Sequence, residues 1–346
     1  MKQITCEIEI LTPMFLGGAK QTDDGKSIRE LRAQSIKGVL RYWYRALVGP
    51  DRLKEKDNKG GNEEDNLFGS SNERIGASKV KIVITGKSLQ PYGKAKFDAI
   101  AGYGFKHPTR GFSINPLDYL AYGVVDNKKQ IVREAFSPGG TFYLKFSLIN
   151  LTDIQIDKID DFDKSLYLMI NFGGLGSRSR KGFGALKLLN EDDVYNGQDW
   201  FVKGDVSQTL RNIINNKTPV KPLYNKEYSY LDTDTKFWLF NKEADSWEGC
   251  LSMLGKDYHD WRQVLAVANG RENLGTPLLH GNRQFENERR ASSYFLTIFK
   301  LDKEKYKYGV LHIPSNYSGN MIPDNVQKEH HEKFQKEIEK TATKEV

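Results

Sequence analysis

NFGGLGSRSRKGFG, running from Asn171 to Gly184, is the stretch on which the fold turns. It holds five glycines, Arg178, Arg180 and Lys181, two serines and no acidic residue. Glycine reaches φ > 0 and lets a backbone approach a ligand closely, with its N–H groups available as donors. Successive N–H groups in such a turn make an anion nest, and flanking cations add charge-assisted bonds to phosphate. Gly174, Gly176, Ser177, Arg178, Ser179, Arg180 and Lys181 are therefore candidate anion-binding residues. A helical pattern over about 163–172 precedes the stretch and a strand pattern over about 183–189 follows it. That order excludes two nucleotide motifs. A P-loop needs Gly-x4-Gly-Lys-Ser/Thr before a helix, and Lys181-Gly182 leads into a strand. The dinucleotide fingerprint needs Gly-x-Gly-x-x-Gly between strand and helix, and Gly174-x-Gly176 is followed by Ser179, after a helix. The plain alternative is a flexible surface loop.

On either side the pattern is that of an α+β protein. Residues 3–11 alternate, with Ile4, Cys6, Ile8 and Ile10 on one face and Glu7 and Glu9 on the other, as in a half-buried strand. Residues 12–34 read as a loop. Ser35 is placed to cap a helix running to about Val48, with Gly49-Pro50 as its stop. Residues 50–66 are polar and of mixed charge, and read as a mobile surface loop. Residues 79–85 and 141–149 are strands, with a Gly-, Tyr- and Pro-rich insertion over 86–139 between them. The order β-α-β-β-α-β is the ferredoxin-like pattern shared with RNA-recognition motifs. An insertion so long calls for a function, and RNA contact would supply one. Past residue 190, the segments 206–215, 246–254 and 258–268 look helical, and 293–300 and 306–313 look like paired strands. The tail from about Asn325 is highly charged with only Phe334 and Ile338 apolar along it, a surface helix or disorder. No internal repeat is evident by eye.

The chain has 346 residues, enough for about two domains with their own cores. A net charge of +7 and a pI near 9.0 favour a polyanionic partner. Cys6 and Cys250 stand far apart without CxxC spacing, which argues against a disulfide scaffold or a zinc site and fits a reducing cytoplasm. The start, MKQITCEIEI, alternates and does not read as a signal peptide, and the apolar runs are too short to span a bilayer. No cofactor and no membrane partner are expected.

A second basic element lies in the helix from Ser35 to Val48. Ile36, Leu40, Trp43 and Leu47 form an apolar stripe, while Lys37, Arg41 and Arg45 recur every four residues on another face. Three like charges in a row gain nothing from one another. They either meet RNA phosphates, helped by Arg29 and Arg32 upstream, or pair with acids elsewhere in the fold. Trp43 belongs to the apolar stripe, whereas Tyr103 and Phe105 in the insertion are candidates to stack unpaired bases. Lys106, His107 and Arg110 also fall in the insertion. A histidine flanked by cations can act as a general base in metal-free RNA cleavage, although a simple RNA clamp is the plainer role. The paired carboxylates at 23–24, 63–64, 160–161 and 192–193 sit in polar segments and read as solvated charges.

Four pieces occur in order: TPMFLGG (Thr12 to Gly18), ELR-x-x-S-I-K-G-x-L-R-x-W-x-R (Glu30 to Arg45), LFGS (Leu67 to Ser70) and FGGLGSRSRKGFGAL (Phe172 to Leu186). Together they resemble the RAMP superfamily of CRISPR proteins, and within it the first RAMP subunit of the type III-B (Cmr) effector complex. The resemblance covers roughly residues 1–190 and extends loosely to Leu274–Pro277 and Arg289–Ser292. It implies two ferredoxin-like (RRM-like) domains with long insertions, over 1–190 and 191–346. It also implies binding of crRNA near its 3′ end, contact with target RNA, other Cmr and RAMP subunits as partners, and no nuclease activity. Carried over by position, the glycine-rich loop is Gly173 to Gly184 and the basic helix face is Lys37, Arg41 and Arg45. A metal-independent endoribonuclease using His107 and a protein-interaction scaffold without RNA contact are the alternatives.

Overall fold

The alternation at the N-terminus forms a strand, β1 (Lys2–Ile10), with Ile4, Cys6, Ile8 and Ile10 turned to one buried face. Next come α1 (Ala33–Lys54), α2 (Glu63–Phe68), β2 (Val80–Ser88), β3 (Thr141–Leu148), α3 (Ile156–Leu168) and β4 (Leu186–Leu188). The four strands make an antiparallel sheet in the order β2-β3-β1-β4. Register places Ile8 opposite both Phe142 and Leu188, and Cys6 opposite Leu144, so one face is apolar throughout. Ile36, Leu40, Trp43 and Leu47 of α1 are all buried, as their spacing requires, and Phe162 of α3 meets Phe146 edge-on at 5.7 Å. The other face carries exposed Thr5, Lys81, Val83 and Lys145. This is the computed structural model of the chain. It describes all residues except 22–26, 107–110, 151–155, 216–228, 266–270, 276–290, 302–303, 316–323 and 346.

Four local expectations change. Residues 12–34 are not all loop, since Gly17–Gln21 and Ser27–Arg29 pair as antiparallel strands. Ser35 does not cap α1. The helix starts at Ala33, and the Ser35 N–H already donates to the Arg32 carbonyl at 3.1 Å. Gly49 (φ 78°, ψ 176°) interrupts α1 without ending it, because Pro50, which has no N–H to lose, suits the first position of a new turn reaching Lys54. The polar stretch 50–66 is likewise structured. Asn62 and Asp65 cap α2 reciprocally, the Asp65 N–H donating to Asn62 Oδ1 at 2.9 Å. Arg52 then ties α1 to Glu63 of α2 and to Asp161 of α3, each at 2.7 Å.

By packing, the chain divides into one unit of residues 1–93, 133–177 and 183–216, and a second of 94–132, 178–182 and 217–346. These are not the sequential halves 1–190 and 191–346. The chain past residue 190 stays with the first unit because Tyr195 and Trp200 pack edge-on against Tyr167 of α3, at 5.6 and 5.7 Å. Helix Val206–Asn215 follows them and buries Leu210 and Ile213.

The second unit holds β5 (Lys236–Leu239), α4 (Trp247–Trp261), β6 (Tyr294–Lys300), β7 (Tyr306–His312), α5 (Asp324–Glu339) and β8 (Lys344–Glu345). Its sheet is antiparallel in the order β6-β7-β5-β8. In both units, therefore, the strands lie second, third, first, fourth, a repeat that the residues do not announce. The charged tail is a surface helix with one buried face, Lys328, Glu329, Glu332 and Lys333 being exposed along the other. Phe334 and Ile338 of α5 are fully buried, and Gln327, His330, His331 and Gln335 are buried with them. The Gln335 amide donates to Tyr294 Oη at 3.3 Å and meets His312 Nδ1 at 3.1 Å, and Tyr294 Oη lies 2.9 Å from His331 Nδ1. Buried polar groups are tolerated when hydrogen-bonded in this way, which is how so polar a helix enters a core.

Candidate nucleic-acid interface

Lys37, Arg41 and Arg45 lie along α1 in the first unit. Lys37 is half-buried, and desolvation together with the neighbouring Arg41 pushes its ammonium below the usual lysine range. Arg41 donates from Nε to Glu64 Oε1, from Nη2 to Asp65 Oδ1 at 3.2 Å and from Nη1 to the Gly69 carbonyl at 3.3 Å. Arg45 lies 3.6 Å from the same Glu64 oxygen with its side chain 48% exposed. The stripe has no acid of its own, but α2 delivers Glu64 and Asp65 to it. Trp43 is in the core as expected. Tyr44 is buried too, its hydroxyl donating to Glu63 at 2.9 Å, and offers no ring to a base.

The glycine-rich segment begins where α3 widens into a π-turn, Met169–Gly173. In the first unit, the N–H groups of Gly174, Leu175, Ser177 and Gly184 donate to the carbonyls of Met169, Gly184, Phe15 and Pro13 at 2.9–3.1 Å. Those of Lys181 and Gly182, in the second unit, donate to Arg178 and Ser179 at 2.8 and 3.3 Å. The expected nest of available donors is thus mostly used by the protein's own carbonyls. Two glycines are required by close approach as well as by backbone angle. At Gly176 (φ 91°) a Cβ would fall 2.6 Å from the Phe15 carbonyl oxygen, and at Gly184 (φ 64°) 1.9 Å from that of Leu175. Ser177 Oγ accepts from Arg133 at 2.8 Å.

Residues 178–182 pack with the second unit. Arg178, with φ 66°, lies over the Tyr122 ring at 5.7 Å. Arg180 donates to the Ser292 carbonyl and lies 4.3 Å over the Phe295 ring, while its own carbonyl accepts from the Leu296 N–H at 3.2 Å. The loop thereby lines the edge of β6. Lys181 donates to the Tyr258 hydroxyl at 2.6 Å, with its ammonium 4.1 Å from the centre of that ring. Desolvation, then the charges of Arg262, Arg178 and Arg180, hold its pKa well below the usual lysine value. Lys106 is exposed on a short hairpin of Phe105–Lys106 with Ser113–Ile114. His107 and Arg110 lie outside the described residues. Phe105 is buried and stacks on His259 at 3.8 Å, so it is engaged within the protein rather than offered to a base. Tyr103 is half-buried, and Phe112 is 48% exposed.

A model of the RAMP superfamily matches residues 7–187, from β1 through the glycine-rich segment to β4. The chain belongs to the RAMP superfamily. Two curated relatives come from Pyrococcus furiosus. CRISPR system Cmr subunit Cmr1-1 is 30% identical over 168 residues, which are 46% of this chain and 41% of the relative. Cmr subunit Cmr1-2 is 29% identical over 203 residues, 54% of this chain and 96% of that protein. The chain thus spans less than half the length of the first of these relatives. Among solved structures, the crystal structure of apo Cmr1 from Pyrococcus furiosus matches with a TM-score of 0.55 at 18% identity, over 97% of each chain. A chain of the cryo-EM structure of the type III-B Cmr-beta complex bound to cognate target RNA matches with a TM-score of 0.51 at 14% identity, over 96% of this chain and 99% of that one. At these identities the structural matches speak for the fold.

This RAMP chain forms no group of three or more potential metal ligands among the described residues. His312, His330 and His331 are buried in the second unit, and His280 lies outside the described residues. Nor is any described helix long and apolar enough to cross a membrane. Sequence reasoning missed Tyr119, Tyr122, Tyr258 and Arg262, which surround the cations of the loop. No spacing could have found them, because they come from helix Pro116–Leu120, the turn after it and the end of α4.

Proposed function

We propose that this RAMP protein is a non-catalytic RNA-binding subunit of a type III-B CRISPR effector complex, holding crRNA near its 3′ end beside other Cmr subunits. The observation that carries the reading is the placement of Arg178, Arg180 and Lys181 together on aromatic faces, inside the segment that the family match covers. Cations held in place by stacking are pre-organised for phosphate. Lys37 and Arg45 on α1, and Lys106, His107 and Arg110 of the insertion, are further candidate RNA contacts. Arg41 adds less, since its guanidinium is shared with two carboxylates.

The reading takes both units as ferredoxin-like domains, in keeping with their common strand order. It also takes RNA to be held by its backbone with little base readout. RNA-recognition motifs stack bases on aromatics of the open sheet face. Among the residues of β1 to β4 that alternate onto that face, Tyr143 is the aromatic one, and its hydroxyl bonds to Glu7. Salt-dependent RNA binding should therefore weaken for all sequences alike in the Arg178→Ala, Arg180→Ala double variant. Normal binding by that variant would refute the loop assignment.

A further inference from the structure

In the second unit the loop cations meet a fourth cation from a distant part of the chain. Arg262, at the end of α4, donates from Nη1 to the Tyr119 hydroxyl at 2.6 Å. Its guanidinium carbon lies 5.8 Å from the centre of the Tyr119 ring and 5.4 Å from that of Tyr258. Tyr258 is the residue whose hydroxyl accepts from Lys181 at 2.6 Å. Arg178 stands over Tyr122, on the turn that follows the helix carrying Tyr119. Arg262, Lys181 and Arg178 therefore ring a small set of phenols contributed by two helices and a turn.

The electrostatics agree with the geometry. Arg262 is the first of the charges that disfavour protonation of Lys181, ahead of Arg178 and Arg180. Burial raises the pKa of both phenols, and against it act Arg262 and Arg178 at Tyr258 and Arg262 and Arg271 at Tyr119. Cations gathered around a partly desolvated lysine repel one another, and an anion seated among them removes that repulsion. The tyrosine rings hold the cations by their faces and supply neutral hydroxyls beside them.

We propose that Arg262 completes with Lys181 and Arg178, around the Tyr119–Tyr258 pair, a cradle for a single phosphate group of a single-stranded RNA backbone. The inference rests on the RNA-binding reading and deepens it, because it draws a residue outside the family-matched region into the site. Arg262 enters as a direct phosphate contact, while Tyr119 is a positioning residue.

The test is the salt dependence of binding of the full chain to a mixed-sequence single-stranded RNA oligonucleotide, read by fluorescence anisotropy. Arg262→Ala should weaken binding about tenfold and lower the slope of log K against log salt by about 0.7, the value of one phosphate contact on a single strand. Tyr119→Phe removes the hydroxyl that orients Arg262 but keeps the cation, and should leave the slope unchanged with affinity within about threefold. Unchanged affinity and slope in Arg262→Ala, while the Arg178→Ala, Arg180→Ala double variant loses binding, would overturn the cradle and leave the RNA reading standing. Unchanged binding in the double variant would instead overturn the RNA reading itself. Equal weakening by Arg262→Ala and Tyr119→Phe, with matching drops in melting temperature and no change of slope, would make Arg262 structural and also overturn the proposal.

Discussion

The Lys181 ammonium lies 2.6 Å from the Tyr258 hydroxyl and 4.1 Å from the centre of the same ring, so one tyrosine both accepts from the lysine and faces it with its π-system. The setting is costly for a charge, since desolvation and three arginines act against protonation. A base whose pKa is depressed in the fold withholds stability below its unfolded value, where the unfolded chain takes up the proton more readily. Lys181→Met, which keeps the length of the side chain, should therefore raise the stability of the free protein near neutral pH by about 1 kcal/mol. That gain includes the loss of one hydrogen bond, itself worth about 1 kcal/mol. RNA binding should weaken in the same variant. Urea denaturation and anisotropy on one preparation check both, and a variant that is destabilised and binds RNA normally would contradict the site.

Glu64 tests the helix face. Its carboxylate is buried and takes Arg41 directly and Arg45 at 3.6 Å. Glu64→Gln keeps the shape and removes the charge that both arginines share. Since the arginine side chains are 35% and 48% exposed, the loss of stability should stay near 1–2 kcal/mol, below that for a fully buried pair. If the face of α1 meets RNA, removing the charge opposite Arg45, and one of the two opposite Arg41, should tighten binding a few-fold and steepen its salt dependence. Unaltered binding would leave this face to the protein's own electrostatics.

The glycines of the two basic elements should respond in opposite directions. Gly184 has φ 64°, and a Cβ there would lie 1.9 Å from the Leu175 carbonyl oxygen. Gly184→Ala should cost more than about 2 kcal/mol. Gly38 is an exposed helical residue of α1, and a Cβ added there would meet nothing within 4 Å. Gly38→Ala should accordingly stabilise the chain by about 0.5–1 kcal/mol. Should it also weaken RNA binding, the open space beside Lys37 is space that the ligand uses. Thermal melts of the two variants, followed by binding assays on Gly38→Ala, separate packing from recognition.

What the residues disclose follows from how local each signal is. Strands β1, β2 and β3 and the buried stripe of α1 are written in alternation and in the 3.6-residue period, and they form where expected. The capping pair Asn62 and Asp65 is local as well, but a polar, glycine-containing context hid it. Other features depend on contacts distant in sequence. The acids that meet Arg41 and Arg45 lie about 20 residues away, and Arg262 reaches Tyr119 from 143 residues away. Helix α5 misleads for a related reason. Its buried face carries Gln327, His330, His331 and Gln335, whose hydrogen-bond partners Tyr294 and His312 sit on other strands. Hydropathy registers such a face as solvent-exposed.

That buried face should make the second unit sensitive to acid. His331 lies 2% exposed, its Nδ1 2.9 Å from the Tyr294 hydroxyl, and burial with the nearby His330 lowers its pKa to about 4. The unfolded chain protonates the same imidazole near 6.5. Between those values the unfolded state binds a proton that the folded state refuses, so stability from this group is complete above pH 6.5 and declines as pH falls toward 4. The shift corresponds to about 3 kcal/mol over the window. His331→Gln retains an acceptor for Tyr294 but does not titrate, and should cost about 1–2 kcal/mol at about pH 8. The difference in urea midpoint between wild type and variant should narrow or reverse by about pH 4.5. A constant difference across that range would mean that His331 is already protonated in the fold, which its place between Tyr294 and His312 argues against.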